Sequence, residues 1–239
     1  MSFPKNRLTL IIATRNAHKT GEIRAILGGE VFCRTLVDFP GAPKVVEDAP
    51  TFAGNATKKA IELARWLSES APPGITEQSN VFALADDSGL EVDALGGAPG
   101  VHSARFAAPD SGVPGNSPDA DNNAKLLRLL ANVPPEKRAA RFRCVLALTP
   151  VAAPVSEVAS SVCYSNELEM ETELFEGSCE GRIDLAPRGA NGFGYDPLFV
   201  PDGFEMTFAE LGDETKNRIS HRSRALAKLR RWLEGRHFV

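Results

Sequence analysis

The feature that most constrains this chain is a buried-strand signal that runs without a break into a helix start. Leu8-Thr-Leu-Ile-Ile-Ala13 is a short apolar, β-favouring run, and Thr14-Arg-Asn-Ala-His-Lys19 follows it directly. A strand that feeds a helix through so short a turn opens an α/β unit. The alternation then continues. Asn16 to Leu27 carries Ile23, Ile26 and Leu27 at helical spacing and stops at Gly28-Gly29. Val31 to Val37 predicts a second strand. Thr51 is placed to cap a long helix reaching about Ser68, with Ala56, Ala60, Leu63, Ala64 and Leu67 on its apolar face. Val81 to Ala85 predicts a strand ending on Asp86-Asp-Ser-Gly89. A helix is predicted over Asn122–Leu130, a strand over Phe142–Leu148 and an edge strand over Val162–Glu173. A strand fragment follows at Leu198–Val200, and a last helix starts at Thr215 or Asn217.

The fold class this implies is α/β with a mixed sheet, richer in strands from about residue 140 to 200. At 239 residues, 43% apolar and 24% charged, the chain is long enough to bury a sizeable core, and disorder, collagen and disulfide miniproteins are excluded. Ser70–Asn80, Ala107–Ala120 and Val151–Ser160 read as loops too short to separate independent domains, so a single domain over residues 7–235 with two lobes is expected. The net charge of −4 disfavours bulk nucleic-acid binding. Cys33, Cys144, Cys163 and Cys179 form no CxxC pair, which suggests neither a zinc site nor a disulfide framework. The run at Leu8 is too short for a signal sequence or a membrane span, so a soluble cytoplasmic protein is expected.

Five segments carry candidate chemistry, each with a plainer reading beside it. Thr14, Arg15, Asn16, Ala17, His18 and Lys19 offer an anion site at a helix N-terminus, or Asn16 simply caps the helix. Asp86 and Asp87, with Ser88 beside them, suit a hard cation such as Mg2+, or form a local turn. Glu47 is a further metal ligand, or favours the positive end of the helix that follows. Phe193, Gly194, Tyr195 and Asp196 lie among glycines that let a backbone approach a ligand and expose a ring for stacking, or shape a structural turn. Lys216, His221 and Arg222 offer donors near a helix start, or a solvated basic face. Together the five ask for a polyanion plus a metal.

The run Asp86-Asp-Ser-Gly-Leu-Glu-Val-Asp-Ala-Leu95, followed by Gly97-Ala-Pro-Gly-Val-His-Ser-Ala-Arg105, closely resembles the RdgB-type inosine/xanthosine triphosphate pyrophosphatase family. So do Ala13-Thr-Arg-Asn-Ala-His-Lys19, Gly192-Phe-Gly-Tyr-Asp-Pro197 and Ser220-His-Arg222, in the family's order and over nearly the whole chain. The resemblance implies an elongated mixed α/β fold with two lobes around a central nucleotide-binding cleft, and a homodimer. It implies Mg2+-dependent hydrolysis of ITP, dITP and XTP to the monophosphate and pyrophosphate. Asp87 matches the catalytic carboxylate, and Glu47, Asp86 and Asp87 form the implied metal set. Thr14 to Lys19 would hold the triphosphate; Ser88, Phe193 to Asp196, Lys216, His221 and Arg222 match nucleotide-contacting positions. Gly54 departs from the pattern, standing in Thr51-Phe-Ala-Gly-Asn-Ala56 where the family usually has Glu. Two alternatives stand beside this reading: a pyrophosphatase for pyrimidine or modified nucleotides, and a non-catalytic nucleotide sensor.

Overall fold

The computed structural model describes residues 8–70, 72, 75, 80–112, 115–151 and 171–236, without the side chains of Glu30 and Ser111. Six strands are found among them: β1 (Thr9–Ile12), β2 (Phe32–Thr35), β3 (Val81–Val92), β4 (Ala139–Pro150), β5 (Glu173–Ile183) and β6 (Phe199–Pro201). They form one sheet in the order β2-β1-β3-β4-β5-β6. β1 pairs in parallel with both β2 and β3, Thr9 lying opposite Phe32 and Val81, while β5 and β6 are antiparallel. The sheet is therefore mixed, as the alternation of elements predicts. Every residue of β1 is buried, as expected of a central parallel strand covered on both faces.

The helices of the described residues are α1 (Ala17–Leu27), α2 (Phe52–Ser70), α3 (Ala108–Ser111), α4 (Asp119–Leu129), α5 (Phe208–Ile219) and α6 (His221–Glu234). The chain divides into two compact units, one of residues 1–87, 145–175 and 226–239 and one of residues 88–144 and 176–225.

In the first unit, α1 leads from β1 to β2 and α2 from β2 to β3. These crossovers run in opposite directions along the sheet, and right-handed connections then put the two helices on opposite faces. The apolar stripe predicted for α2 is buried, and Leu63, Ala64 and Leu67 pack with Ile11, Leu36, Phe39 and Ala83. Thr51 caps this helix, its hydroxyl accepting from the Gly54 N–H at 3.0 Å. In the second unit the core is aromatic. Phe142 meets Phe199 edge-on at 4.8 Å and lies alongside Phe208 at 6.0 Å, with Leu90, Leu126, Ile183 and Leu198 around them.

Several elements differ from expectation. β3 runs on to Val92, so Asp86 to Gly89 lie inside a strand rather than in a turn at its end. The last helix is two: α5 starts at Phe208, bends at Gly212 (φ +75°) and ends at Ile219, and α6 begins at His221 after the extended residue Ser220. The segment 107–120 holds α3 and the start of α4. Of the predicted edge strand 162–173, residues 162–170 lie outside the described residues, as do most of 70–80 and all of 152–160. β5 begins only at Glu173.

Candidate active site

Asp86 and Asp87 are successive residues of an extended strand, so their side chains leave it on opposite sides. Each meets its own lysine. Asp86, buried, accepts from Lys19 Nζ on α1 at 2.5 Å. Asp87, equally buried, accepts from Lys59 Nζ on α2 at 3.1 Å and from Asn55 Nδ2 at 3.2 Å. Neighbouring carboxylates would repel one another in a turn; here separate ammonium groups on separate helices neutralise them. Burial raises the pKa of Asp87 above the ordinary aspartate range, Lys59 and Lys19 pull it back, and Glu47 pushes the same way as burial. The result is a carboxylate more basic than usual.

Lys59 ties this centre together. Its ammonium donates to the Asp86 carbonyl at 2.9 Å as well as to Asp87, and lies 3.4 Å from Glu47 Oε1. Glu47 and Asp87 thus converge on one cation, whereas Asp86 is turned to Lys19 and does not join them. Among the described residues no three His, Cys, Asp or Glu side chains gather as a metal cluster. Asn55 holds the approach to Glu47, because its Oδ1 accepts from the Ala49 N–H at 2.9 Å. Gly54 allows that approach: a Cβ there would stand 2.8 Å from Ala49 Cβ and 3.2 Å from the Thr51 hydroxyl. The glycine that departs from the family pattern is therefore where the Glu47–Ala49 segment rests on the first turn of α2.

The turn after β1 follows its plainer reading in part. Asn16 caps α1, its Oδ1 accepting from the N–H groups of His18 (2.9 Å) and Lys19 (3.1 Å), and Thr14 Oγ1 accepts from the Asn16 N–H. Arg15, Ala17 and His18 are exposed at the helix start, and the Arg15 guanidinium reaches the Ala42 carbonyl at 3.3 Å.

The remaining candidates lie in the second unit. Ser88 opens that unit one residue after Asp87, and its hydroxyl accepts from the fully buried Arg222 guanidinium at 2.9 Å. His221 lies flat against Phe142, with centroids 4.9 Å apart and planes 15° from parallel. Asp196 accepts from Lys216 Nζ at 2.6 Å and from the Phe193 N–H at 2.9 Å, and Lys216 Nζ stands 4.4 Å from the Phe193 ring centre. Asp196 and Lys216 are both buried. Gly192 has φ +78°, and a Cβ there would strike the Asp196 carboxylate. Tyr195 is placed differently from the rest. Its side chain is buried with the hydroxyl on the Ser103 carbonyl at 2.9 Å, and burial pushes its phenol well above the usual range. Asp93 pairs with Arg141 at 2.9 Å.

Lys59 and Asn55 were absent from the sequence-derived candidates. Their signal was available, because a Lys and an Asn four residues apart interrupt an otherwise apolar helical stripe.

Comparison with known proteins gives the chain its family. The Ham1 family profile matches residues 10–232. A dITP/XTP pyrophosphatase of Opitutus terrae is 47% identical over 94% of this chain and 98% of its own length. That of Shouchella clausii is 42% identical over 95% and 96%. Among solved structures, a HAM1 protein from Coxiella burnetii superposes with a TM-score of 0.72 at 34% identity, covering 96% of this chain and all of its own. From its motifs, its fold and these relatives, the chain belongs to the Ham1 family.

Proposed function

We propose that this protein hydrolyses the deaminated purine nucleoside triphosphates ITP, dITP and XTP to the monophosphate and pyrophosphate, removing them from the nucleotide pool. The observation that carries the reading is Asp87: a buried carboxylate of raised basicity, held by Lys59 and Asn55 and next in the chain to Ser88, which holds Arg222. The relatives' common name, dITP/XTP pyrophosphatase, supports it.

In this mechanism Asp87 takes a proton from the water that attacks the α-phosphorus. Its backbone is fixed in β3, and Asn55 and Lys59 orient its two oxygens. Lys19 and Lys59 supply positive charge for the leaving pyrophosphate. The donors present suit Mg2+, which takes one or two carboxylates and completes its shell with water and phosphate oxygen. Glu47 and Asp87, already sharing one cation, would hold it; Asp86 lies on the other side of the strand. When bound, Mg2+ would neutralise phosphate charge.

Base selection falls to Arg222, His221, Lys216 and the Phe193–Asp196 segment. Inosine, xanthosine and guanine carry an oxygen at purine C6 where adenine carries an amino group, so a donor such as the Arg222 guanidinium pairs with the oxygen and rejects adenine, while guanine is refused by a second filter at its 2-amino group. A buried mismatch of that kind costs about 1–3 kcal/mol per group. Phe193 offers a face for stacking without choosing between purines. A cytoplasmic homodimer that needs neither nucleic acid nor membrane belongs to the same reading; no helix among the described residues is long and apolar enough to cross a membrane.

The test is pyrophosphate release from ITP, dITP, XTP, GTP and ATP, each with Mg2+ and with EDTA. Fast release from the first three only, abolished by EDTA, is expected. Nucleotide binding without release from any substrate would favour a sensor.

A further inference from the structure

The segment assigned above to the base is gripped from a helix that carries none of the candidate residues. Gly194 follows Phe193 directly and has φ +63°, a left-handed conformation open mainly to glycine. Both polar groups of this residue are held by side chains of α4. Its N–H donates to Asp119 Oδ2 at 2.6 Å, and its carbonyl accepts from Asn123 Nδ2 at 2.9 Å. Asp119 and Asn123 are four residues apart, so they stand one above the other on a single helix face. On the other side of Phe193, its own N–H is held by Asp196. The backbone that carries the ring is thus fixed before and after it.

A second observation concerns the Asn123 amide. With Nδ2 committed to Gly194, its Oδ1 is buried and has no hydrogen-bond partner among the described residues. Leaving a buried acceptor unmet is unfavourable. A side chain serving only to fill space would not require it.

We propose that Asp119 and Asn123 are positioning residues for base recognition: by clamping Gly194 they set where the Phe193 ring meets the purine. The inference rests on the nucleotide reading above. It separates two effects that general destabilisation would mix, because the residues around Asp87 lie in the other unit and have no part in the clamp.

The experiment compares wild type, Asp119→Ala, Asn123→Ala and Asp119→Asn in two measurements: KM and kcat for ITP, and the inhibition constant of inorganic triphosphate, which has no base. Asp119→Ala should raise KM for ITP about tenfold, the worth of one charge-assisted hydrogen bond, and Asn123→Ala about fivefold, the worth of a neutral one, each with a smaller change in kcat. Their inhibition constants for triphosphate should stay within about twofold of wild type, since ligand without a base does not use the clamp. Asp119→Asn keeps an acceptor and should restore most of the affinity for ITP. Unchanged KM in both alanine variants, or a loss of triphosphate binding in step with ITP, would overturn the proposal while leaving the nucleotide reading intact. Wild-type protein inert toward ITP would overturn both.

Discussion

Asp87→Asn is expected to lower turnover of ITP by about a hundredfold or more while nucleotide affinity changes little. The substitution keeps the shape of the side chain and one oxygen, which can accept from Lys59; the amide NH2 then faces Asn55 Nδ2, so that single contact is lost while the fold around it is kept. It removes the negative charge and the basicity, the two properties a proton acceptor needs. Burial at β3 makes the native carboxylate a stronger base than an exposed aspartate, and an amide has nothing comparable to offer. Single-turnover rates with ITP, beside equilibrium binding of the same nucleotide, separate the two effects. Turnover equal to wild type would remove Asp87 from the chemistry.

Gly177→Ala should be among the most damaging single-methyl changes in the second unit. Gly177 lies in β5 under the first turn of α6, and a Cβ there would meet the His221 carbonyl oxygen, the Ala225 N at 2.6 Å and Arg224 Cβ at 3.1 Å. Two of these atoms are backbone, so the strain cannot be relieved by a rotamer change and the helix start must move. Its first two residues are His221 and Arg222, and Arg222 reaches Ser88 from there. A loss of about 3 kcal/mol of stability is expected, measured by urea unfolding. KM for ITP should rise with it, because the Arg222 donor leaves its place. A variant with native stability and native KM would show that α6 is less tightly seated on β5 than this packing requires.

The order of strands and helices in the first unit is legible in the sequence because its signals are local. The apolar run at Leu8, the Asn16 cap and the α2 stripe each state their own structure. The β3 extension is not legible in this way. Asp-Asp-Ser-Gly has the composition of a turn, and only lysines from α1 and α2, distant in sequence, make it tolerable inside a strand. The start of α5 did carry a local signal. Thr207-Phe-Ala-Glu210 is a capping box, with Glu210 Oε2 accepting from the Thr207 N–H at 2.8 Å, but Gly212 masks it by bending the helix one turn later. β5 is hard to read for the opposite reason: its glycines lower strand propensity, yet Gly177 is needed where α6 presses on the sheet.

The candidate site divides along the same line. Motif order marked Asp87, Lys19, Ser88 and Arg222, since these sit in short runs that read as units. Lys59 and Asn55 belong to a helix whose other buried residues are apolar, and their part emerges only when the helix is laid against β3. Tyr195 shows the converse. It lies in the same run as Phe193 and Asp196, but its ring turns into the core to meet Ser103.

The central claim, that water deprotonated at Asp87 attacks the α-phosphorus, is tested most directly by hydrolysing ITP in oxygen-18 water and weighing both products. Label in the inosine monophosphate and none in the pyrophosphate is the predicted result. Label in the pyrophosphate would place the attack on the β-phosphorus and contradict the account.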